Sequence, residues 1–256
     1  MSNLLSMIKH QIRQVFSFFG IDIRKARPYS VDFPDEATAF HKEVILRASK
    51  YSMTGITRMW ALTRAFEYIH AKGVEGDYVE CGVWKGGNLV LLAALQERIG
   101  ENRMIYGFDT FEGMTQPSEV DIDFKGHSAS EMMAAVEKID GDPSIHVYAS
   151  LDLVKRNLVE NDAKNIELIK GDVSQTLLNQ DNLPKKISIL RLDTDWYEST
   201  KVELEVLYPL LQPGGVLIID DYGHFEGARK AVDEYFRDDI QWMDYIDYSC
   251  RLIIKK

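Results

Sequence analysis

Two short apolar runs that each end in acidic residues constrain this chain most. The first is Ile187–Leu192, followed by Asp193, and the second is Val216–Ile219, followed by Asp220 and Asp221. A helix-length segment and a Pro-Gly-Gly turn separate them, which is the pattern of two neighbouring parallel strands joined by a crossover helix. Because ligands of open α/β sheets bind at the carboxyl ends of the strands, we expect the functional site there.

The acids at these strand ends predict a metal site. Neighbouring strands lie about 4.8 Å apart, and carboxylates about 4 Å apart repel by roughly 4 kcal/mol at an effective dielectric constant of 20. A divalent cation with oxygen ligands reverses this repulsion, so we expect Mg²⁺ to be bound by Asp193, Asp220 and Asp221. Adjacent strand residues point to opposite faces, so Asp220 and Asp221 can both bind only if the strand has already turned.

The rest of the chain alternates strands with helices. Further strands are predicted at Asp77–Cys81, Met104–Phe108 and Ile166–Lys170, and a hairpin-like pair at Trp242–Ile246 and Arg251–Ile254 closes the chain. This alternation predicts an α/β fold with a mainly parallel sheet and helices on both faces. A long polar insertion at 113–129 interrupts it, and we expect this insertion to be a lid that faces the substrate.

The first 50 residues differ from this pattern. An apolar stripe at helical spacing precedes a proline-containing connector, so we divide the chain into an N-terminal helix and cap, 1–50, and a main domain, 51–256. The stripe consists of Leu4, Leu5, Ile8, Ile12, Val15, Phe16 and Phe19. We expect it to pack against the body or a second subunit, which favours a homo-oligomer; the alternative is peripheral contact with a membrane surface.

Composition excludes several functional classes. The net charge of −10 argues against a general nucleic-acid binder. No run of 18 or more apolar residues occurs, so no transmembrane segment is expected, and Lys9 and Arg13 interrupt any signal-peptide core. Cys81 and Cys250 lie in apolar runs and are expected to be buried reduced thiols. These features lead us to expect a cytoplasmic protein.

The ends of the first three predicted strands are suited to a nucleoside. The loop Gly82–Gly87 lets the backbone approach a ligand at a helix N-terminus, although the G-x-G-x-x-G fingerprint is absent. Asp109, after the second strand, is suited to accept hydrogen bonds from ribose hydroxyls. Asp172, after the third, could accept one from the adenine amine. Each of these acids, taken alone, also fits a loop-solvating or helix-capping role.

Four segments together resemble the macrocin O-methyltransferase family. They are the segments 80–87, 107–113, 192–200 and 220–223. Members of that family depend on S-adenosylmethionine and Mg²⁺ and methylate sugar hydroxyls on macrolides. The resemblance covers about residues 50–255. It implies a Rossmann-like class I methyltransferase fold with a mainly parallel seven-stranded sheet, an antiparallel last strand and, in this chain, an N-terminal helical extension.

The resemblance also implies roles for single residues. It assigns metal binding to Asp193, Asp220 and Asp221, and the segment 53–56 resembles the family's lid over the cofactor. The residues that we therefore expect to bind cofactor are Met53, Thr54, Glu80, Gly82, Asn88, Asp109, Asp172 and Ser174. The expected cofactors are S-adenosyl-L-methionine and Mg²⁺, and the expected partner is a sugar-containing small molecule or a glycan.

Catalysis by such a site needs a proton acceptor within reach of the acceptor hydroxyl. We expect this to be Asp193, while it binds the metal, or His224, which lies just beyond the acid pair. Asp195 is expected behind the metal ligands or as the N-cap of the helix that begins near Tyr197. Arg191 lies on an apolar strand and is expected to have an acidic partner and a structural role.

Three other functions stay open at the level of sequence. The first is methylation of a catechol-like or other vicinal diol. The second is a nicotinamide oxidoreductase, which the absent glycine fingerprint and the lack of a Tyr-x-x-x-Lys pair disfavour. The third is a non-catalytic nucleotide-binding or assembly module, in which the acids only solvate strand ends.

Overall fold

The computed structural model describes residues 33–256, whose seven strands form one mixed sheet. The strands are β1 Asp77–Cys81, β2 Ile105–Asp109, β3 Ile166–Lys170, β4 Ile187–Leu192, β5 Leu211–Ile219, β6 Asp244–Tyr245 and β7 Arg251–Ile254. They are ordered β3-β2-β1-β4-β5-β7-β6. The first five are parallel, β7 is antiparallel to β5, and β6 is antiparallel to β7. The predicted class I methyltransferase sheet with its antiparallel end is confirmed.

Helices cover both faces of this sheet. Those of the described part of the chain are α1 Ala39–Ala48, α2 Ile56–Lys72, α3 Gly87–Ile99, α4 Ala129–Ala134, α5 Leu151–Glu160, α6 Val173–Thr176, α7 Tyr197–Leu207 and α8 Glu226–Tyr235. Alternate strand residues such as Cys81 and Leu192 pack with Leu204 of α7 and Val232 of α8. The intervening residues face α2, so that Tyr78 contacts Phe66 there.

β1 and β4 are neighbours at the centre of the sheet, and the strands that follow them in sequence lie on opposite sides of this pair. From β1 the chain continues to β2 on one side, and from β4 it continues to β5 on the other. Gly82 follows β1 with φ of +86°, and a Cβ there would lie 1.9 Å from the carbonyl oxygen of Asp193. Only glycine permits this approach. The crevice at such a switch point is where open α/β sheets bind ligands.

Two predicted boundaries differ from the structure. The Pro-Gly-Gly segment, predicted as a turn, belongs to β5: Ile187 pairs with Leu211 and Ile189 with Val216, so the extra residues form a bulge in a continuous strand. The strand predicted at Trp242–Ile246 is shorter and covers only Asp244–Tyr245. One compact unit of the structure runs over Asp35–Lys256 and includes α1. The domain boundary predicted after residue 50 stays a prediction.

The N-terminal apolar stripe lies outside the described residues, so its packing, its membrane contact and the homo-oligomer stay predictions. Within residues 33–256, none of the helices combines the length and apolar character needed to cross a membrane. Cys81 and Cys250 are both buried free thiols, as predicted.

The insertion after β2 is fastened to the first turn of α7 by buried Asp121. Its carboxylate accepts hydrogen bonds from the backbone N–H and the hydroxyl of Ser118, each at 2.7 Å, and from the N–H of Tyr197 at 2.8 Å. The last of these bonds caps the first turn of α7. The expectation that Asp195 caps this helix is therefore wrong: the N-cap residue is Trp196, without a side-chain cap, and the acceptor comes from the insertion.

We predict that Asp121→Ala lowers the free energy of unfolding by about 2 kcal/mol, because a helix cap is lost and three partly buried hydrogen bonds are broken. Urea denaturation measures this change. Glu119→Ala, at an exposed position on the same segment, is the matched control and should leave stability unchanged. Equal stabilities of the two variants would contradict the capping role of Asp121.

Candidate active site

A cleft of about 1000 Å³ opens at the carboxyl ends of β1, β4 and β5. Its wall includes Met53 and Thr54 of the segment before α2, the glycine loop and the acids after β4 and β5. A second cavity of about 460 Å³ lies toward β2 and β3. Gly82, Val147 and Asp193 line both cavities, so the two adjoin at the switch point.

Arg191 joins the acids of three strands. Its Nη1 donates hydrogen bonds to Glu80 Oε1 at 2.7 Å and to Asp193 Oδ2 at 2.5 Å. Its Nη2 donates to Asp220 Oδ1 and, at 3.0 Å, to the hydroxyl of Thr54. Although burial opposes the charge, these carboxylates hold the pKa of Arg191 well above its ordinary value. Arg191, which was expected to have an acidic partner, thus has three.

Asp220 lies between two guanidinium groups. Besides Arg191, Arg58 of α2 donates to Asp220 and also, through Nε, to Asp247 Oδ2 at 2.7 Å. The N–H of Asp220 still donates to Leu192 at 2.9 Å, so the strand ladder continues through this residue and its side chain points toward α2. Asp220 was expected among the metal ligands, but the structure holds its carboxylate in these ion pairs.

The acids brought together are Asp193, Asp195 and Asp221. Each offers a carboxylate oxygen within 4.8 Å of the others. Asp195 has φ of +65°, and the N–H of Trp196 donates to Thr194 at 2.8 Å, which closes a three-residue γ-turn centred on Asp195. This turn brings the Asp195 carboxyl group into hydrogen-bonding contact with Asp221. A non-glycine residue at such a positive φ costs about 1–3 kcal/mol, and residues of this kind are found mainly at functional sites.

Negative charge exceeds positive charge in this cleft. Five carboxyl groups face the guanidinium groups of Arg58 and Arg191, and they belong to Glu80, Asp193, Asp195, Asp220 and Asp221. Burial raises the pKa of Glu80 and of Asp195 to about 7. Burial and mutual repulsion raise the pKa of Asp193 and of Asp221 well above the ordinary carboxyl value. The site therefore retains protons near neutral pH unless another cation replaces them.

Three of the expected cofactor residues form one buried network. Asn88 Nδ2 donates to Glu80 Oε1 at 2.8 Å and to the Thr54 hydroxyl at 3.3 Å. Glu80 Oε2 and Asn88 Oδ1 are buried and have no hydrogen-bond partner within the described part of the chain. Because buried acceptors are normally satisfied, this pair marks a position where a ligand can donate hydrogen bonds.

Asp109 and Asp172 line the smaller cavity but also have local partners. Asp109 accepts hydrogen bonds from the N–H groups of Val83, Trp84 and Phe111 at 2.7–3.0 Å, which fastens the glycine loop to β2. Asp172 caps α6 by accepting from the N–H of Ser174 at 2.9 Å. The local roles weighed for these acids are present, and their contacts with a nucleoside stay predictions, as does a cofactor role for Ser174 itself.

His224 lines the same cleft as the three clustered acids. Its Nδ1 is hydrogen-bonded to the hydroxyl of Tyr248 at 2.9 Å, and its ring centroid lies 4.6 Å from that of Phe225 and 5.2 Å from that of Phe124. Burial lowers the pKa of His224. The imidazole is therefore neutral at neutral pH and is able to accept a proton.

Arg58 is a residue of the site that was not expected from the sequence. Asp195 was expected only behind the metal ligands or as a helix N-cap. The spacing of Asp193 and Asp195 was the available signal, because residues two apart in extended chain point to the same side. No comparable signal marks Arg58, since its partners Asp220 and Asp247 lie 162 and 189 residues further along the chain.

The comparisons with known proteins agree with this geometry. Residues 45–252 match the family profile described as macrocin O-methyltransferase (TylF). The 8-demethyl-8-(2,3-dimethoxy-alpha-L-rhamnosyl)-tetracenomycin-C 4'-O-methyltransferase of Streptomyces olivaceus is 32% identical over 190 residues, 72% of this chain and 67% of its own. The demethyldecarbamoylnovobiocin O-methyltransferase of Streptomyces niveus is 31% identical over 195 residues, 73% and 68% of the two chains.

A solved structure that is similar to this chain is also that of an O-methyltransferase. The O-methyltransferase NovP superposes with a TM-score of 0.69 at 27% identity, covering 80% of this chain and 82% of its own. The resemblance that the sequence motifs indicated is thereby confirmed. The chain belongs to the macrocin O-methyltransferase family and is an enzyme that transfers a methyl group to oxygen.

Proposed function

We propose that this enzyme methylates a hydroxyl group of a sugar, carried by a glycosylated natural product or a surface glycan, and uses S-adenosyl-L-methionine and Mg²⁺. The observation that carries the proposal is the group Asp193, Asp195 and Asp221 in a cleft beside two unsatisfied buried acceptors. The relatives support the substrate class, since one is named for a rhamnosyl-tetracenomycin.

The clustered acids fit a hard divalent cation. Their donor atoms are all carboxylate oxygens, which Mg²⁺ prefers, and Asp221 Oδ2 is buried without a partner within residues 33–256. We therefore assign Mg²⁺ to Asp193, Asp195 and Asp221, with Asp220 as the residue that orients Arg191 and Arg58. A bound Mg²⁺ supplies Lewis acidity, which lowers the pKa of an acceptor hydroxyl.

The donor side fits a molecule with an ammonium group and a nucleoside. Glu80 Oε2 and Asn88 Oδ1 can accept hydrogen bonds from an ammonium group, and Met53 and Thr54 lie over the same part of the cleft. The smaller cavity beside Asp109 suits the nucleoside. A sulfonium cation at the junction of the cavities is favoured by the excess of negative charge.

His224 is the residue that we assign to accept the proton of the hydroxyl. Its imidazole is neutral, and it faces the cleft that holds the clustered acids. Asp193 is less suited to this step because Arg191 already donates a hydrogen bond to its Oδ2. With S-adenosylmethionine bound, an O–CH3 bond would form as the S–CH3 bond breaks, so that S-adenosylhomocysteine would leave and His224 would hold the proton of the hydroxyl. Positioning of the two reactants by the cleft would supply much of the rate acceleration.

The activity is tested with methyl-labelled S-adenosylmethionine and a panel of methyl glycosides and catechols, with Mg²⁺ or with EDTA. We expect labelled glycosides in Mg²⁺, no label in EDTA, and recovery when Mg²⁺ is restored. Label on catechols alone would establish the diol alternative. Failure to bind S-adenosylhomocysteine in calorimetry would contradict the proposed donor.

The metal assignment predicts different effects for two neighbouring acids. Asp195→Asn should weaken Mg²⁺ binding about tenfold or more, because a charged ligand is lost. Asp220→Asn should mainly lower the free energy of unfolding, because its carboxylate pairs with Arg191 and Arg58. Calorimetric titration with Mg²⁺ and urea denaturation measure the two quantities. The reverse outcome, with Mg²⁺ binding lost only in Asp220→Asn, would show that the ligand set is wrong.

The raised carboxyl pKa values predict how stability changes with pH. Burial raises the pKa of Glu80 and Asp195 to about 7 and that of Glu203 to about 8. A carboxyl group with a raised pKa stabilises the folded state fully below its ordinary pKa, and this contribution is lost as pH rises through the folded-state value. The metal-free enzyme should therefore lose stability between about pH 4.5 and pH 8.

Urea denaturation at a series of pH values checks this prediction. Glu203→Gln should flatten the slope near pH 8. Mg²⁺ should stabilise the enzyme more at pH 8 than at pH 6, because it binds deprotonated carboxylates. Metal-free stability that rises across this range in the wild type, with the same slope in Glu203→Gln, would contradict the raised pKa values.

A further inference from the structure

Three rings from separate parts of the chain meet at the mouth of the cleft. They are Phe124 of the insertion, His224 after β5 and Tyr248 of the hairpin between β6 and β7. Their ring centroids lie 5.2 Å apart for Phe124 and His224, 5.5 Å for Phe124 and Tyr248, and 5.8 Å for His224 and Tyr248. His224 and Tyr248 line the cleft together with Asp195 and Asp221. We call these three residues the aromatic rim.

The outer members of the aromatic rim are exposed. Phe124 is 49% and Tyr248 is 51% exposed, whereas Phe225, which packs against His224 behind them, is buried. Exposed apolar surface costs about 25 cal/mol per Å² relative to burial. Apolar surface that is left uncovered beside a polar cleft is the usual composition of a small-molecule site.

The backbone holds Phe124 in this exposed position. The N–H of Gly126 donates to the carbonyl of Asp123 at 2.9 Å, which closes a turn with Phe124 at its second position. Buried Asp123 also accepts a hydrogen bond from the N–H of Lys125 at 2.8 Å. The N–H of Phe124 itself donates to the carbonyl of His224 at 2.8 Å. The ring is therefore carried by a turn that is fixed to the rest of the site.

Tyr248 is held equally firmly. Its hydroxyl is hydrogen-bonded to His224 Nδ1, and the preceding residue, Asp247, is paired with Arg58. A Cβ at Gly223 would lie 1.9 Å from the carbonyl oxygen of Tyr248, so a glycine is needed there for the hairpin to reach the cleft. Rings that are already in place lose little conformational freedom when a ligand binds.

We propose that the aromatic rim binds the C–H face of the acceptor's pyranose ring and thereby turns one hydroxyl group toward the clustered acids. Phe124 has no side-chain atom that can hydrogen-bond as a hydroxyl or an amide does, so the part of its ring that Lys125 Nζ, 5.3 Å from the centroid, leaves open suits the C–H face of a sugar. The acids deeper in the cleft can interact with hydroxyl groups but not with that face. This inference rests on the proposed function, since it assigns the position of the sugar in the same site.

The test uses Phe124→Leu, which keeps an apolar side chain but removes the ring, and Phe124→Trp, which keeps a ring. Trp242→Ala, which removes an aromatic side chain that is 83% exposed and does not belong to the aromatic rim, is the control. Binding of methyl glycosides of rhamnose, glucose and mannose is followed by saturation-transfer NMR with the enzyme saturated with S-adenosylhomocysteine and Mg²⁺. Methyl transfer to the same glycosides gives kcat and KM.

We expect saturation transfer to the ring C–H protons in the wild type. Phe124→Leu should raise Kd and KM about fivefold, which is the size of one aromatic contact, and should leave kcat and the affinity for S-adenosylhomocysteine unchanged. Phe124→Trp and the control Trp242→Ala should resemble the wild type. These results together would support the aromatic rim as the sugar-binding surface.

The failures of the two proposals are distinguishable. If the wild type methylates the glycosides and Phe124→Leu has the same KM, the aromatic rim does not bind the sugar and the proposed function stands. If the wild type binds S-adenosylhomocysteine but methylates catechols and no glycoside, the proposed function fails. Absence of saturation transfer to all three glycosides would overturn the sugar-binding surface independently of turnover.

Discussion

The pairing of one buried guanidinium with acids from three strands is the interaction on which this active site depends. Without Arg191, the carboxylates of Glu80, Asp193 and Asp220 would lie in a buried region with too little positive charge, and breaking a buried pair of this kind costs about 3–5 kcal/mol. The same guanidinium donates to Thr54. It thus connects the sheet edge with the segment before α2, whose Met53 and Thr54 line the cleft.

The charge that remains after this pairing explains why the cleft suits cations. Arg58 neutralises Asp220 further, but among residues 33–256 no guanidinium forms an ion pair with Asp195 or Asp221, which face each other. Two carboxyl groups in contact need a shared proton or a cation between them. Both cofactors that we propose, a sulfonium donor and a divalent metal ion, carry positive charge. The strained turn at Asp195 is what creates this pair.

The sheet could be predicted from the sequence because its information is local: each strand is a short apolar run, and each run ends in an acid or glycine at the same edge. The position of the clustered acids depends on contacts between residues that are far apart in the sequence. Sequence cannot show that the β-ladder continues through Asp220, which decides that Asp221 and not Asp220 faces Asp195. Nor does it show that Asp121, 76 residues before Tyr197, caps α7 and leaves Asp195 free for the cleft.

The two sides of the cleft are built from different kinds of segment. The side that we propose for the donor consists of the ends of β1 to β4 and the glycine loop, which Asp109 and Arg191 hold in place. The side that we propose for the acceptor consists of the insertion and the last hairpin, which contribute Phe124 and Tyr248. The insertion contacts the rest of the fold through caps and turns, whereas the hairpin joins the sheet through antiparallel β7. Asp247 of the hairpin is also connected to the arrangement around Arg191, because Arg58 donates to both Asp247 and Asp220. The exposed rings of Phe124 and Tyr248 take no part in those ion pairs, so a change of ring there can alter the acceptor that is bound while the arrangement around Arg191 stays intact.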